Sequence, residues 1–356
     1  MTIELLVTPR EAGTPEAARV REAIAVRLRD LGYEVEEQRF RFPPTTLRAL
    51  PLLGSGLAFL ALLQFPLLSL PAVPSWGALA VWIPAATGLV LLAVAVGQGR
   101  TALGAELRED ANLIAVRPGG RVTRWIVAHL DTKAQGHSMA GRLVAVWTLL
   151  ATGLFSLGLA IARLAITHSV PLAIAATSAG LALAASILAD RGNLRGRSAG
   201  ARDNGTGLLA ALTAAERATD TNIGILITGA EEFGLVGARV FARAFPERVR
   251  DVEIINLDTL DDRGHLYLIA HDAPGERWAA RVAVWLAPMG IRTTVRRLPL
   301  GILVDGLPLA RAGARVVTVS RLDWETLRRM HTPRDTVEGL GFETARRVGE
   351  LAAAGD

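Results

Sequence analysis

Five short polar motifs hold the side chains of this 356-residue chain whose types and spacing could do chemistry. They are Ala128-His129-Leu130-Asp131, Asp203-Asn204-Gly205-Thr206-Gly207, Gly229-Ala230-Glu231-Glu232-Phe233-Gly234, Asn256-Leu257-Asp258 and Met330-His331-Thr332-Pro333-Arg334-Asp335. A histidine that binds metal usually gives its other ring N–H to an oxygen, and Asp131 is placed to offer one to His129. The glycines around Asp203 let backbone come close to a site. Glu231 and Glu232 are adjacent carboxylates just past an apolar run, and a cation would relieve their repulsion. One can ligate metal while the other takes a proton from an activated water. Each motif also has an ordinary reading: a structural histidine, an aspartate helix cap, an acidic helix start or a polar loop. Together they bring two histidines and up to four carboxylates to strand ends and loops. That donor set suits zinc, and it is large enough for two ions about 3.5–4 Å apart.

The elements that must position these residues alternate strand and helix. Thr14 and Pro15 open a helix running to Leu31. Tyr33–Arg41 alternates as a half-buried strand, and Asn112–Val116, Trp125–His129, Ile223–Thr228, Val252–Leu257 and Ala314–Ser320 read as further strands. Gly207–Ala218, Gly234–Ala244 and Phe342–Ala354 read as helices. The pattern predicts an α/β fold with a mixed, mostly parallel sheet sandwiched by helices. Motifs at strand ends fit it, because ligands bind beyond the carboxyl ends of strands in open α/β sheets.

Two stretches do not belong to such a domain. Between Arg48 and Arg100 there is no charged residue, and Leu143–Ala189 holds only Arg163. A bilayer core needs about 20 apolar residues as helix. Four spans meet that length: Leu50–Pro71, Gly77–Gly97, Leu143–Arg163 and Val170–Ala189. They pair as two transmembrane hairpins, 49–97 and 143–189, inserted into one discontinuous domain of residues 1–48, 98–142 and 190–356. They account for a composition that is 51% hydrophobic and 21% charged, with a mean hydropathy of +0.33. Arg48, Arg100, Arg142, Arg191, Arg195 and Arg197 gather at the polar ends, which predicts an integral protein of a prokaryotic inner or plasma membrane with a cytoplasmic catalytic domain. The charge of +5 comes nearly all from arginine without interleaved aromatics, which argues against nucleic acid. The absence of cysteine excludes disulfides and thiol catalysis. The charged Met1–Phe42 region lacks the pattern of a cleaved signal peptide. Oligomeric state leaves no trace in the sequence.

The order of the five motifs resembles the co-catalytic zinc aminopeptidase family, with its glutamate carboxypeptidase and glutaminyl cyclase relatives. The resemblance covers nearly all the polar sequence. It implies that fold with the two hairpins inserted, and two Zn2+ per chain. His129, Asp203 and Asp258 would hold one ion. Asp203, Glu232 and His331 would hold the other, with Asp203 bridging. Glu231 would be the general base and Asp131 the partner of His129. A cis peptide at Asp203–Asn204 is also implied. The expected activity is hydrolysis of a peptide bond at a free N-terminus, with carboxypeptidase action, glutaminyl-cyclase-like acyl transfer and a non-enzymatic scaffold as alternatives. The second hairpin lies between His129 and Asp203, which would bring the site near the bilayer. Thr132 stands for the usual serine, and Val304-Asp305-Gly306 stands for Ser-Asp-His. His137, His168, His265 and His271 match no motif and read as ordinary polar residues.

Overall fold

The computed structural model describes residues 3–97, 106–165 and 169–354, so Arg100 and His168 lie outside the described residues. The chain divides into two compact units. One comprises Met1–Pro44, Glu106–Ala134 and Gly196–Asp356, and the other Thr45–Ala105 and Gln135–Arg195.

The first unit is built on eight strands: β1 (Glu34–Phe42), β2 (Arg108–Val116), β3 (Arg124–His129), β4 (Ile223–Thr228), β5 (Glu253–Leu260), β6 (His265–Ala270), β7 (Thr293–Arg297) and β8 (Arg315–Leu322). Their order is β1-β2-β4-β3-β5-β8-β6-β7. The central β4-β3-β5-β8 pairs are parallel, while β1–β2, β2–β4 and β6–β8 are antiparallel. β3 and β4 are buried throughout, because a strand covered on both faces must be an apolar run. Alternation sorts their side chains. Ile126 and Ala128 pack with Val20, Ile24, Leu208, Trp278 and Val348 of helices on one face. Trp125 and Val127 pack with Ala238, Phe241 and Leu309 on the other. β1 is an edge strand that alternates as expected of a half-buried one: Gln38 and Phe40 are part-buried and Phe42 buried, while Arg39 and Arg41 are exposed.

Local signals explain the helix starts. The Thr14 hydroxyl accepts the amide of Ala17 and Pro15 opens the Pro15–Asp30 helix. β6, β7 and the Ala273–Leu286 helix between them lie outside the elements expected from the sequence, although the helix has its own start signal: the Asp272 carboxylate accepts the Gly275 amide and Pro274 lies in the first turn.

The second unit holds four helices, Ala49–Ser69, Gly77–Gly97, Met139–Ala165 and Leu172–Asp190, each long and apolar enough to cross a bilayer. Large apolar side chains point outward, among them Phe59, Leu62, Leu91, Leu154 and Ile187. Polar groups turn inward. Gln64 Nε2 donates to the Ser156 carbonyl, the Ser156 and Ser178 hydroxyls lie 3.0 Å apart, and Arg163 donates to the Val73 carbonyl. Gly54 packs directly against Ser186 and Ala189, leaving no room for a side chain.

Candidate metal centre

His129, Asp131, Glu231 and Glu232 lie at or beyond the carboxyl ends of β3 and β4, Asp258 lies in the second half of β5, and Asp203 and His331 lie in loops. His129 is the last residue of β3. Its Nδ1 lies 3.1 Å from the Asp131 carbonyl oxygen. A carbonyl only accepts, so Nδ1 carries a proton, and Nε2 is the nitrogen turned inward toward Asp203. The Asp131 carboxylate does not bond His129 as expected. It sits 3.9 Å from Nδ1 and instead accepts the amides of Glu231 and Glu232, at 2.9 and 3.1 Å. Asp131 thus orients the histidine through its backbone and the glutamate pair through its side chain.

Asp203 lies in the turn Ala201–Gly205, and the Asp203–Asn204 peptide is cis. The turn runs so close to the His129 loop that a Cβ on Gly200 would lie 2.1 Å from the Thr132 methyl. Asn204 ties it to the end of β5: its Nδ2 donates to the Leu257 carbonyl, and its Oδ1 accepts the amides of Gly207 and Thr259. Those bonds place Asp258. From the last motif, the Asp335 carboxylate accepts the amides of Arg202 and Asp203. Ala230 and His331 both hold positive φ, 51° and 62°. Such non-glycine strain is characteristic of functional loops.

These supports bring five side chains together, all buried. His129 Nε2 lies 3.1 Å from Asp203 Oδ1 and 4.0 Å from Asp258 Oδ1. His331 Nε2 lies 3.0 Å from Asp203 Oδ2 and 3.5 Å from Glu232 Oε1. Two triads result, His129–Asp203–Asp258 and Asp203–Glu232–His331, each with ligand atoms within 4.8 Å of one another. Asp203 turns one oxygen to each. Glu232 Oε1 is buried without a hydrogen-bond partner among the described residues. An orphaned carboxylate oxygen facing an imidazole nitrogen fits a cation well.

The electrostatics agree. Burial would raise Asp203, but His129 and His331 outweigh it and hold it well below the usual carboxylate range. Burial pushes Glu231 up strongly, with Glu232, Asp305 and Asp258 adding to the effect. Asp258 is pushed up to about 7 by burial and by the Asp203 charge. Burial opposes a charge on His129, yet Glu231, Asp203 and Asp258 push it well above its ordinary value. These carboxylates have too little positive charge among them.

Four residues outside the expected set belong to the same neighbourhood. Lys133 Nζ pairs with Glu232 Oε2 at 2.5 Å. Its signal was compositional, since it is the single lysine of the chain. Arg10 is fully buried and donates to the carbonyls of Thr8, Leu130, Ala199 and Gly200, stapling the His129 and Asp203 loops. Burial lowers it to about 10, against the pull of Asp335 and Asp131. Asp305 is buried and accepts the Thr228 hydroxyl, and burial pushes it up to about 6. His271, read from the sequence as an ordinary polar residue, fills the space before Gly306: a Cβ there would lie 2.4 Å from His271 Nε2. That nitrogen lies 3.1 Å from the Thr318 hydroxyl, and burial lowers His271 to about 4. His265 is exposed on β6.

A sequence model of peptidase family M28 matches residues 182–355, just under half of the chain, which takes in Asp203, Glu231, Glu232, Asp258 and His331 but not His129. No curated protein matches the sequence. Solved structures do match the fold. An aminopeptidase from Aneurinibacillus sp. strain AM-1 is 14% identical, with a TM-score of 0.56 over 99% of this chain and 91% of that one. A zinc aminopeptidase from Bacillus subtilis is 17% identical, with a TM-score of 0.56 over 99% and 92%. A glutaminyl cyclase from Fimbriiglobus ruber is 16% identical, with a TM-score of 0.56 over 98% and 90%. The chain therefore has the mixed α/β fold shared by these aminopeptidases and glutaminyl cyclases, and its second half carries the sequence pattern of peptidase family M28.

Proposed function

We propose that the chain is a membrane-bound zinc aminopeptidase. The observation that carries the reading is the pair of buried triads sharing Asp203, with Glu231 beside them. His129, Asp203, Asp258, Glu232 and His331 would hold zinc. When bound, zinc would supply the Lewis acidity that makes water a nucleophile near neutral pH. The chain's own residues do the rest. Asp131 fixes the Glu231 backbone, so its carboxylate stays beside the ligands. Glu231 takes the proton of the attacking water and delivers it to the departing amine. Its raised proton affinity suits that task, because a strong acid would not hold the proton long enough to pass it on. The enclosed loops keep bulk water from the pair.

The four apolar helices support the membrane part of the reading. Outward leucines and phenylalanines with inward Gln64, Ser156, Ser178 and Arg163 invert the pattern of a helix bundle in water, as a lipid solvent requires. Both hairpins begin and end on one face, and arginine at those ends favours a cytoplasmic catalytic unit.

The test is release of N-terminal residues from a peptide panel by detergent-purified protein, with and without chelator. Loss on chelation and return with zinc is the expected result. Cyclised N-terminal glutamine as the product would instead favour acyl transfer, a reading to which the fold likeness to glutaminyl cyclases lends weight.

A further inference from the structure

Arg202 precedes the shared residue Asp203 in the chain and is itself buried. Each of its side-chain nitrogens meets a different partner. Nε donates to Asp261 Oδ2 at 2.8 Å, Nη1 to the Thr336 carbonyl at 2.6 Å and Nη2 to the Glu338 carbonyl at 2.8 Å. Asp261 directly follows β5, the strand that carries Asp258. Thr336 and Glu338 lie just beyond the motif that carries His331.

The network extends from both ends of this contact. The Asp261 oxygen that meets Arg202 also accepts the Thr326 hydroxyl at 2.8 Å, and Thr326 lies in the helix Trp324–Arg329 that leads into His331. The Arg202 amide donates to Asp335 Oδ1. The Arg202 carbonyl accepts the Thr206 hydroxyl, whose oxygen accepts the Leu260 amide from β5. Asp261, Thr326, Asp335 and Thr206 are all buried. Asn204 joins the segments of Asp203 and Asp258, and Arg202 adds the segment of His331 to them. His129 and the glutamate pair are held separately, by Asp131.

Stability alone is a poor reason for such a residue. A buried ion pair often does no better for stability than an apolar filling of the same shape. What a guanidinium offers is geometry, because its planar fork fixes several acceptors in set directions at once, which the point charge of an ammonium does not. Ligands that come from three separate segments need that kind of fixing.

We propose that Arg202 is a positioning residue of the metal centre: its guanidinium ties together the three segments that carry Asp203, Asp258 and His331, and so sets the spacing of those ligands. The proposal rests on the metal-centre reading above and goes beyond it by naming the residue that aligns them.

The test uses full-length protein in detergent, with zinc alone as the probe. Zinc affinity is read by competition with a chromophoric chelator, and stability by denaturant unfolding of the metal-free chain. Arg202→Lys keeps a cation but cannot span the acceptors, so it should weaken zinc binding by about 10- to 100-fold. Thr326→Val removes the hydroxyl that meets Asp261 and should weaken zinc binding in the same direction. The double variant should bind no more weakly than Arg202→Lys, because both residues act through Asp261 and contacts in one network are not additive. Asp262→Ala is the control for a purely structural role. Its carboxylate accepts the amides of Gly341, Phe342 and Thr344 outside this network, so the variant should lose stability and keep its zinc affinity. A folded Arg202→Lys chain that binds zinc as tightly as the natural one would overturn the proposal. So would losses that add in the double variant, or an Asp262→Ala chain that loses as much affinity as Arg202→Lys. Should Arg202→Lys not fold, Thr326→Val decides, and unchanged affinity there counts against the role. A natural chain that binds no zinc would remove the metal centre itself, which separates failure of the underlying reading from failure of this one.

Discussion

At the scale of single residues, the site is an arrangement of acceptors with few donors. Asp131 shows how one residue serves two masters: its carbonyl orients His129 and its carboxylate holds the Glu231 and Glu232 amides. Replacing it with asparagine keeps the shape but removes one of the two acceptor oxygens. We expect Asp131→Asn to lower zinc affinity or turnover by about 10- to 100-fold, the usual cost of losing a residue that supports ligands. Chelator competition and kinetics would show it, and an unchanged enzyme would refute the role. Glu231 differs because its proton must move. Glu231→Gln keeps the volume and cannot take a proton, so zinc content should hold while kcat falls by about 100-fold or more. A Glu231→Gln enzyme with full kcat would exclude Glu231 as the base.

At the scale of elements, the turn carrying Asp203 is held by bonds reaching far along the chain. Asn204 makes three of them, to Leu257, Gly207 and Thr259, all buried. Asn204→Ala would leave two amides and a carbonyl without partners, each worth about 1–3 kcal/mol when buried. We expect a loss of roughly 3 kcal/mol in the unfolding free energy of the first unit, together with weaker zinc binding because Asp203 and Asp258 lose their common anchor. Denaturant unfolding with and without zinc measures both, and a loss under about 0.5 kcal/mol would show that the turn is held elsewhere.

At the scale of the whole molecule, buried acids make the protein sensitive to pH. Burial raises Asp131, Asp258 and Asp335 to about 7, against about 3.9 in an unfolded chain. Between those values the folded chain keeps protons that the unfolded chain has released. Stability of the metal-free protein should therefore fall as pH rises from about 4 through about 7. A bound cation balances the same charges, so zinc should flatten the decline. Thermal melts at pH 5.5 and 7.5, with and without zinc, test the sign, and a metal-free chain that gains stability over that interval would contradict it. Membrane orientation can also be read directly, because the chain has no cysteine. With the catalytic unit in the cytoplasm, Ala72→Cys between the first two helices should react with a membrane-impermeant thiol reagent on intact cells. Asp220→Cys should react only after permeabilisation, and the reverse pattern would place the catalytic unit outside.

What the sequence determined by itself was carried by local pattern. The apolar runs of Trp125–His129 and Ile223–Thr228 mark covered strands, Thr14 and Pro15 mark a helix start, and long charge-free stretches mark the four apolar helices. The motifs also named the residues that the fold gathers at the two triads, because ligand chemistry restricts residue type more than sequence separation does. Tertiary structure decided what depends on approach through space. Only folding shows that Asp131 turns its carbonyl rather than its carboxylate to His129, since both oxygens are equally possible partners in a chain of letters. Only folding brings Arg10 to Leu130 and Gly200, more than a hundred residues away, and sets His271 into the space left by Gly306. Lys133 lies between the two cases. Its rarity is written in the composition, but only the fold shows it buried against Glu232 Oε2.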